Sequence, residues 1–565
     1  MLYKKLVEIY ESLGGTTKRL EKIDILSNFL KILKESDEEV VFLLTGNIYS
    51  QGEGKKTGIN RQLAIKAISK TTGTDTKEII NEWKSVGDLG KVAEKFTKKK
   101  KQTTLSTYSL TTEKVLENLR KLTEIEGKGS VDKKISLIAE LLIFAEPIES
   151  LYLIRTLLED LRIGIQENTI RDAIANAFFE DKKEASLKIQ EAINKSNNLV
   201  SVLKLARKGD IRKFKDVPFN PEKPIKVMLA QKVKTIEEGF EALGKPCAIE
   251  YKYDGFRLLI HKSNKKITLY TRRLENVTNQ FPEVIEYVNK YIEGDSFILD
   301  SEAVGFDKKT KEYMPFQKIS QRIKRKYEIG KIKDKLPVEI NVFDIIYYNG
   351  NSMLDEPFEK RTKLIKKLIK SFPYKIICAK QIITENEKKA EEFYKKALSE
   401  NQEGIMMKSL NAIYQPGSRV GHMLKIKPSE KDFDLTITGA EYGTGKRSGW
   451  FSSFILSCRN KKTDEYLEIG KVGTGFKEKS ELGISFEELT KLFKPYVIKE
   501  KERVVKIKPK IVVSVTYQEI QKSPTYSSGF ALRFPRFTAL RNDKPISEIA
   551  TIEEVKKEFE AQKRN

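Results

Sequence analysis

Up to about residue 220 apolar residues recur at three- and four-residue spacing, as in Ile135-Ser136-Leu137-Ile138-Ala139-Glu140-Leu141-Leu142 and from Leu151 to Leu161, with few β-rich runs between. This stretch is expected to be all-α. Prolines 218, 221 and 224 then interrupt any period between Lys215 and Pro224, which predicts a linker. From Ile225 to Lys427 strand and helix patterns alternate. Between Ala248 and Ile260 a period of two puts Ile249, Tyr251 and Tyr253 on one face and Glu250, Lys252 and Asp254 on the other. In Met423-Leu424-Lys425-Ile426-Lys427-Pro428 the same alternation sets Leu424 and Ile426 against two lysines. After a polar hinge at Pro428-Ser429-Glu430-Lys431-Asp432, short strands separated by glycine turns predict a small barrel of the OB type. The expected architecture is an all-α domain over 1–220, an α+β domain over 221–428 and a β-barrel domain over 429–565.

At 565 residues the chain exceeds what one core serves, which agrees with several domains. Lys and Arg number 105 against 80 acids, giving a net charge of +25 and a pI near 9.4. Such a surface calls for a polyanionic partner, and with no apolar run of spanning length, nucleic acid is the expected one rather than a membrane. Met1 to Tyr10 reads as an amphipathic helix carrying acids, not a signal peptide, so a cytoplasmic location is expected. Three separated cysteines fit a reducing compartment and argue against a structural zinc site. Lys and Glu enrichment suits a thermophile or a biased genome equally.

The chemistry concentrates in Glu250-Tyr251-Lys252-Tyr253-Asp254-Gly255-Phe256-Arg257. It offers an amine nucleophile, a glycine for a turn or close ligand approach, and a guanidinium fork suited to phosphate. The simpler reading is a strand with one solvated face. Two glycine-rich stretches, Gly443 to Ser448 and Gly52 to Thr57, imitate a phosphate loop. The true loop needs glycine where Ala440 and Tyr49 stand, and Ser or Thr where Arg447 and Lys56 stand.

Lys252-Tyr253-Asp254-Gly255-Phe256-Arg257 resembles the lysine motif of covalent nucleotidyltransferases. Further elements follow in the order of that superfamily: Thr271-Arg272-Arg273, the acidic strand through Asp300-Ser301-Glu302, Phe343-Asp344-Ile345-Ile346-Tyr347, Glu403-Gly404-Ile405-Met406-Met407-Lys408, Lys425-Ile426-Lys427, and Arg533-Phe534-Pro535-Arg536 followed by Arg541-Asn542-Asp543-Lys544. Together they resemble the ATP-dependent DNA ligases of the archaeal and eukaryotic replicative type. The lack of a four-cysteine module weakens an NAD-dependent alternative.

The resemblance implies nick sealing with ATP and Mg²⁺, through an AMP carried on Lys252. It implies nucleotide contacts from Glu250 (adenine), Phe343 (base stacking), Arg257, Arg272, Glu302, Arg419, Lys425 and Lys427. It also implies metal contacts from Glu302 and Glu403 with Asp254 as helper, and an approach of Arg541, Asp543 and Lys544 to ATP in the first step. Arg257, Lys425 and Lys427 are the cations expected to ease deprotonation of Lys252. Arg273 stands where some relatives have asparagine.

DNA contacts are expected from the helical domain: Lys98, Lys99, Lys100 and Lys101, Arg162 in Leu161-Arg162-Ile163-Gly164, and Gly129 and Ser130 at a helix N-terminus, where an ordinary cap is the competing reading. Gln102, Leu105 and Tyr108 resemble a sliding-clamp docking peptide, beside the alternative of a phosphate-contacting loop. A monomer on nicked duplex DNA is expected. The competing classes are an RNA ligase or capping guanylyltransferase, disfavoured by the large helical region, and a non-enzymatic DNA-binding scaffold, which leaves the ordered motifs unexplained.

Overall fold

The computed structural model describes residues 1–49, 57–98, 109–127, 129–215, 217, 221–323, 329–428, 431–444, 447, 449–476, 484–501 and 503–564. The chain forms two compact units, Met1–Ala67 with Gln102–Pro428, and Ile68–Lys101 with Ser429–Asn565.

The N-terminal region is helical. In Tyr3–Gly14 the residues Tyr3, Leu6, Val7, Tyr10 and Leu13 are buried, which is the spacing of one helix face. Ser130–Phe144 buries Ile135, Ile138, Ala139, Leu141 and Leu142 in the same way. Side-chain caps set the starts of later helices: Asp181 accepts from the amides of Lys183 and Glu184, and Asn198 from those of Val200 and Ser201. Pro147 opens Pro147–Leu157 behind a reciprocal Glu146 and Glu149 box.

Two sheets follow in the same unit. A five-stranded sheet has the order Leu229–Lys232, Arg419–Ile426, Gly404–Ser409, Cys247–Lys252, Gln381–Thr384. A seven-stranded sheet runs Lys266–Thr271, Phe256–Ser263, Ser296–Phe306, Val338–Tyr348, Asn351–Ser352, with Tyr313–Met314 and Ile376–Cys378 alongside. The first sheet buries Cys247, Ile249, Tyr251, Ile405, Met407, Leu424 and Ile426 in one cluster, as the alternation requires. The second buries Phe256, Leu258, Ile260, Leu299, Ile340 and Val342 in another. A third cluster, with Leu259, Ile298, Ile346, Tyr414, Val420 and Met423, joins the opposite faces of the two sheets. The polar face of the lysine strand is therefore covered by a second sheet and is not a solvated surface.

The C-terminal region is a seven-stranded antiparallel sheet in the order Tyr466–Val472, Phe451–Arg459, Lys431–Tyr442, Val504–Ile507, Val497–Lys501, with Val512–Tyr517 pairing both Lys431–Tyr442 and Arg536–Leu540. Its core holds Leu435, Ile437, Phe454, Leu456, Val513 and Val515. The expected hinge is shorter than the sequence suggests. Lys431 and Asp432 already pair with Tyr517 and Thr516, because the ladder extends to the start of the strand.

One buried ion pair braces the strand Val338–Tyr348. Arg361 and Asp344 side chains are 0% and 2% exposed, joined at 2.7 Å and 3.2 Å, with Arg361 also donating to the Ala412 carbonyl at 2.9 Å. Removing one charge leaves the other buried without its counter-ion. Asp344→Asn should therefore destabilise this unit by roughly 3–5 kcal/mol, read from denaturant unfolding. A loss below about 1 kcal/mol would show that the pair is not holding the aromatic strand.

Candidate active site

Strand register brings the lysines together. Gly404 pairs with Lys252, while Met406 pairs with both Glu250 and Lys425 across its two neighbours, so Glu250, Lys252, Lys425 and Lys427 share one face. Gly404 has a φ of +143°, and a Cβ there would lie 2.1 Å from the Ile426 carbonyl oxygen, so no larger residue fits this crossing. That close approach sets Glu403 between two strands. Its Oε2 accepts from Lys252 Nζ and from Lys427 Nζ, each at 2.5 Å. Burial works against the charge of Glu403, but the two ammonium groups more than offset it and hold the carboxyl at about 2. Gln402, buried, accepts from the Asp254 amide at 3.1 Å and ties the two loops together.

Gly255 lies where two strands approach closely. A Cβ there would sit 2.3 Å from the Ala303 carbonyl oxygen, so it is the acidic strand that comes close. Arg257 then pairs in register with Glu302. Its guanidinium is already occupied: Nε donates to Asp300 at 2.8 Å, Nη2 donates to the other Asp300 oxygen, and Nη1 donates to the Met228 carbonyl at 2.8 Å. Tyr414 completes this anchor by donating to Asp300 at 2.6 Å while accepting from the Met228 amide at 3.1 Å. Burial alone would lower the Arg257 pKa, and the Asp300 carboxylate more than reverses that. Arg257 lies 5.2 Å from the centroid of Phe343, with Lys408 Nζ at 4.8 Å from the same ring. Phe343 is half-buried, on the face away from the neighbouring Val342 core position.

Glu250 is buried. Lys408 Nζ meets its Oε2 at 2.7 Å, and Gln381 donates to its Oε1 at 2.8 Å. Burial raises its pKa, with Lys408 pulling the other way. Glu302 is different, since among the described residues its side chain carries no hydrogen bond or ion pair. Burial pushes it up to about 8, opposed by Lys252 and Arg257 and reinforced by Glu403 and Asp300. Around these acids stands a cationic group. Lys425 is lowered by burial and then by Lys252, Lys427, Arg419 and Arg272, and Arg272 is lowered by burial and then by Arg257 and Arg419. Lys425 and Lys427, two of the three cations expected near Lys252, thus stand in one cationic group with it, together with Arg272 and Arg419.

Among the described residues no three carboxylate, histidine or cysteine groups gather as a metal cage, so Asp254, Glu302 and Glu403 are not brought together as one three-acid cage. The sequence reading missed Asp300, Tyr414, Lys408, Gln381 and Gln402. Asp300 had a legible signal, being two residues before Glu302 and so on its face. The others are brought in by pairing between strands or sheets.

The remaining sites have local partners of their own. Gly129 caps Ser130–Phe144 with a φ of +78°, and the Ser130 amide is already bonded to the Gly127 carbonyl at 3.2 Å. Arg162 has a φ of +60° and a guanidinium held by Asp160 at 2.7 Å. Lys98 pairs with Glu94 at 3.0 Å on the helix Leu89–Thr97. Lys99, Lys100, Lys101, Gln102, Leu105 and Tyr108 lie outside the described residues. In the C-terminal unit Arg541 chelates Asp543 at 3.0 Å and 2.9 Å, and Arg541 and Lys544 both reach Asp434 at 2.8 Å.

Comparison with known proteins agrees with this picture along the whole chain. Residues 2–175 match the family described as DNA ligase N terminus, 227–427 the ATP dependent DNA ligase domain, and 447–544 the ATP dependent DNA ligase C terminal region. The DNA ligase of Nanoarchaeum equitans (strain Kin4-M) is 44% identical over 565 residues, covering 100% of this chain and 99% of its own length. That of Thermococcus onnurineus (strain NA1) is 38% identical, with the same coverage. The solved structure named Pmar-Lig_Pre. is 17% identical and shares the fold, with a TM-score of 0.57 over 95% of this chain and 99% of that one. No helix among the described residues is long and apolar enough to cross a membrane. A lysine and two acids gathered between the two central sheets, family matches from residue 2 to 544, and full-length relatives at this identity place the chain among the ATP-dependent DNA ligases.

Proposed function

We propose that this ligase seals nicks through Lys252, and the observation that carries the assignment is the single Glu403 oxygen shared by Lys252 and Lys427. An ammonium has no lone pair, so Lys252 attacks only after giving up its bond to Glu403 and losing a proton to solvent or a base. Lys427, on the same oxygen, keeps Glu403 from following. The amine nitrogen then bonds to the α-phosphorus of ATP as the α-phosphorus–oxygen bond to pyrophosphate breaks. AMP next passes to the 5′-phosphate at the nick, and the 3′-hydroxyl displaces it to close the phosphodiester. Lys425, Arg272 and Arg419 supply positive charge where the phosphoryl group gains negative charge. Glu250, kept in place by Lys408 and Gln381, reads the base, and Phe343 stacks on it. Arg257, anchored by Asp300, serves chiefly to hold that ring in place. Arg541 and Lys544 act on the triphosphate in the first step.

Mg²⁺ fits the acids present. A half-buried Glu302 without a partner among the described residues and an adjacent Glu403 are the one or two carboxylates that this ion takes beside phosphate oxygens and water. When bound, it neutralises charge on the triphosphate and the leaving pyrophosphate. The division of labour follows the segments 1–220 for DNA binding, 221–428 for adenylation and 429–565 for the C-terminal β domain. DNA contacts come from Lys98 to Lys101, Gly129, Ser130 and Arg162. The enzyme works as a monomer in the cytoplasm, on nucleoid DNA, and docks on a sliding clamp through Gln102, Leu105 and Tyr108.

Lys252→Ala should abolish retention of label from α-labelled ATP on the denatured protein, with an unchanged circular dichroism spectrum, and impair sealing of pre-adenylated nicks less. Wild-type labelling would refute the assignment.

Glu302 links stability to pH. Its folded pKa of about 8 lies above the ordinary 4.5, so the fold favours the protonated acid. That contribution is complete below the ordinary value and is lost as pH climbs toward 8. Glu302→Gln should therefore gain thermal stability relative to wild type between pH 5 and pH 8.5, while self-adenylation collapses. Parallel melting curves at both pH values would contradict this. For the clamp, joint replacement of Leu105 and Tyr108 by alanine should abolish clamp co-elution and leave nick sealing near the wild-type rate; persistent co-elution would remove these residues from the contact.

A further inference from the structure

Asp434 has no part in the sequence signature, yet the charged turn at the end of the chain is built on it. The ladder explains how they meet: Asp434 pairs with Ser514, and Ser514 pairs with Ala539, two residues before Arg541. The Arg541 amide donates to the Val512 carbonyl at 2.9 Å, and the Lys544 amide closes the turn on the Arg541 carbonyl at 3.1 Å. The backbone of the turn is thus set by the sheet, whereas its side chains are set by one acid. Asp434 Oδ2 accepts from Arg541 Nη1 and Lys544 Nζ, both at 2.8 Å, with the Asp434 side chain 11% exposed. Arg541 uses its other edge, Nε and Nη2, on Asp543. The second Asp434 oxygen is buried with no hydrogen bond among the described residues.

That last feature argues against a purely structural acid. A half-satisfied buried carboxylate costs stability, and an amide or hydroxyl would cap the strand at a smaller cost. What only a carboxylate does here is hold two cations on one oxygen against their mutual repulsion. Two cationic heads sharing one carboxylate oxygen are held close together, and with side chains 34% and 27% exposed against 15% for Arg257 they stay open to adjacent anionic oxygens of a polyphosphate, with the ordering cost already met by the fold. We infer that Asp434 is a positioning residue of the first step, which sets Arg541 and Lys544 side by side as a donor pair for the polyphosphate of ATP. The inference rests on the reading that Arg541 and Lys544 engage ATP during self-adenylation.

The test is a double-mutant cycle on the full-length enzyme, with self-adenylation from ATP and sealing of a pre-adenylated nick measured separately. Asp434→Asn should slow self-adenylation by roughly 10- to 100-fold, the scale of a donor displaced by about 1 Å, and leave sealing of the pre-adenylated nick within about twofold. Combined with Lys544→Ala it should lose no more than the worse single variant, since both remove one arrangement. That coupling is read from rates at a temperature where every variant is folded, so a lowered melting point alone cannot imitate it. Additive losses, or equal losses in both steps, would make Asp434 a structural acid and overturn the inference. If Arg541→Ala and Lys544→Ala leave self-adenylation intact while Asp434→Asn slows it, the reading of the turn fails, and the positioning role falls with it.

Discussion

Two sheets packed face to face force charged side chains into a layer that water reaches poorly, and the site is organised by how each charge in that layer finds a counter-charge. Glu403 takes Lys252 and Lys427, Asp300 takes Arg257, Glu250 takes Lys408, and Asp344 takes Arg361. Each of these acids fixes a cation that would otherwise be a long, mobile chain. The exception is Glu302, which lacks such a partner among the described residues and stands next to the lysine and guanidinium that lower it only in part.

The anchoring of Arg257 shows how this constraint redistributes roles. From its place in the lysine motif a phosphate contact is the natural expectation. In the fold three of its nitrogens are engaged by Asp300 and Met228, and its flat face lies near Phe343. Tyr414, more than a hundred residues away in sequence, donates to the same Asp300 oxygen as Arg257. The arginine of the lysine motif is thereby held in one orientation by a buried acid, with its flat face toward Phe343.

The same device recurs in the C-terminal unit, on a separate acid. Asp434 gathers Arg541 and Lys544 from a turn whose backbone is set by ladder hydrogen bonds. In both units a sheet brings a carboxylate to a place where two cations can share it. The central acid is framed by cations whose positions follow from register, and the C-terminal one by cations that follow from a turn.

Alternation alone determined which faces of the lysine strand and of Arg419–Ile426 are apolar, and helical spacing determined the N-terminal region, because both are local consequences of backbone period. The order of the motifs was likewise enough to identify the family, since short ordered segments survive without knowledge of their contacts. Glu250 as a buried acid, the engagement of Arg257 and the existence of Lys408, Gln381 and Tyr414 as partners were not legible. Each depends on which strands become neighbours and on which sheet covers which face. A one-residue shift of register would have reversed every one of them. The sequence specified the charges of this protein, and tertiary packing alone decided which of them would meet.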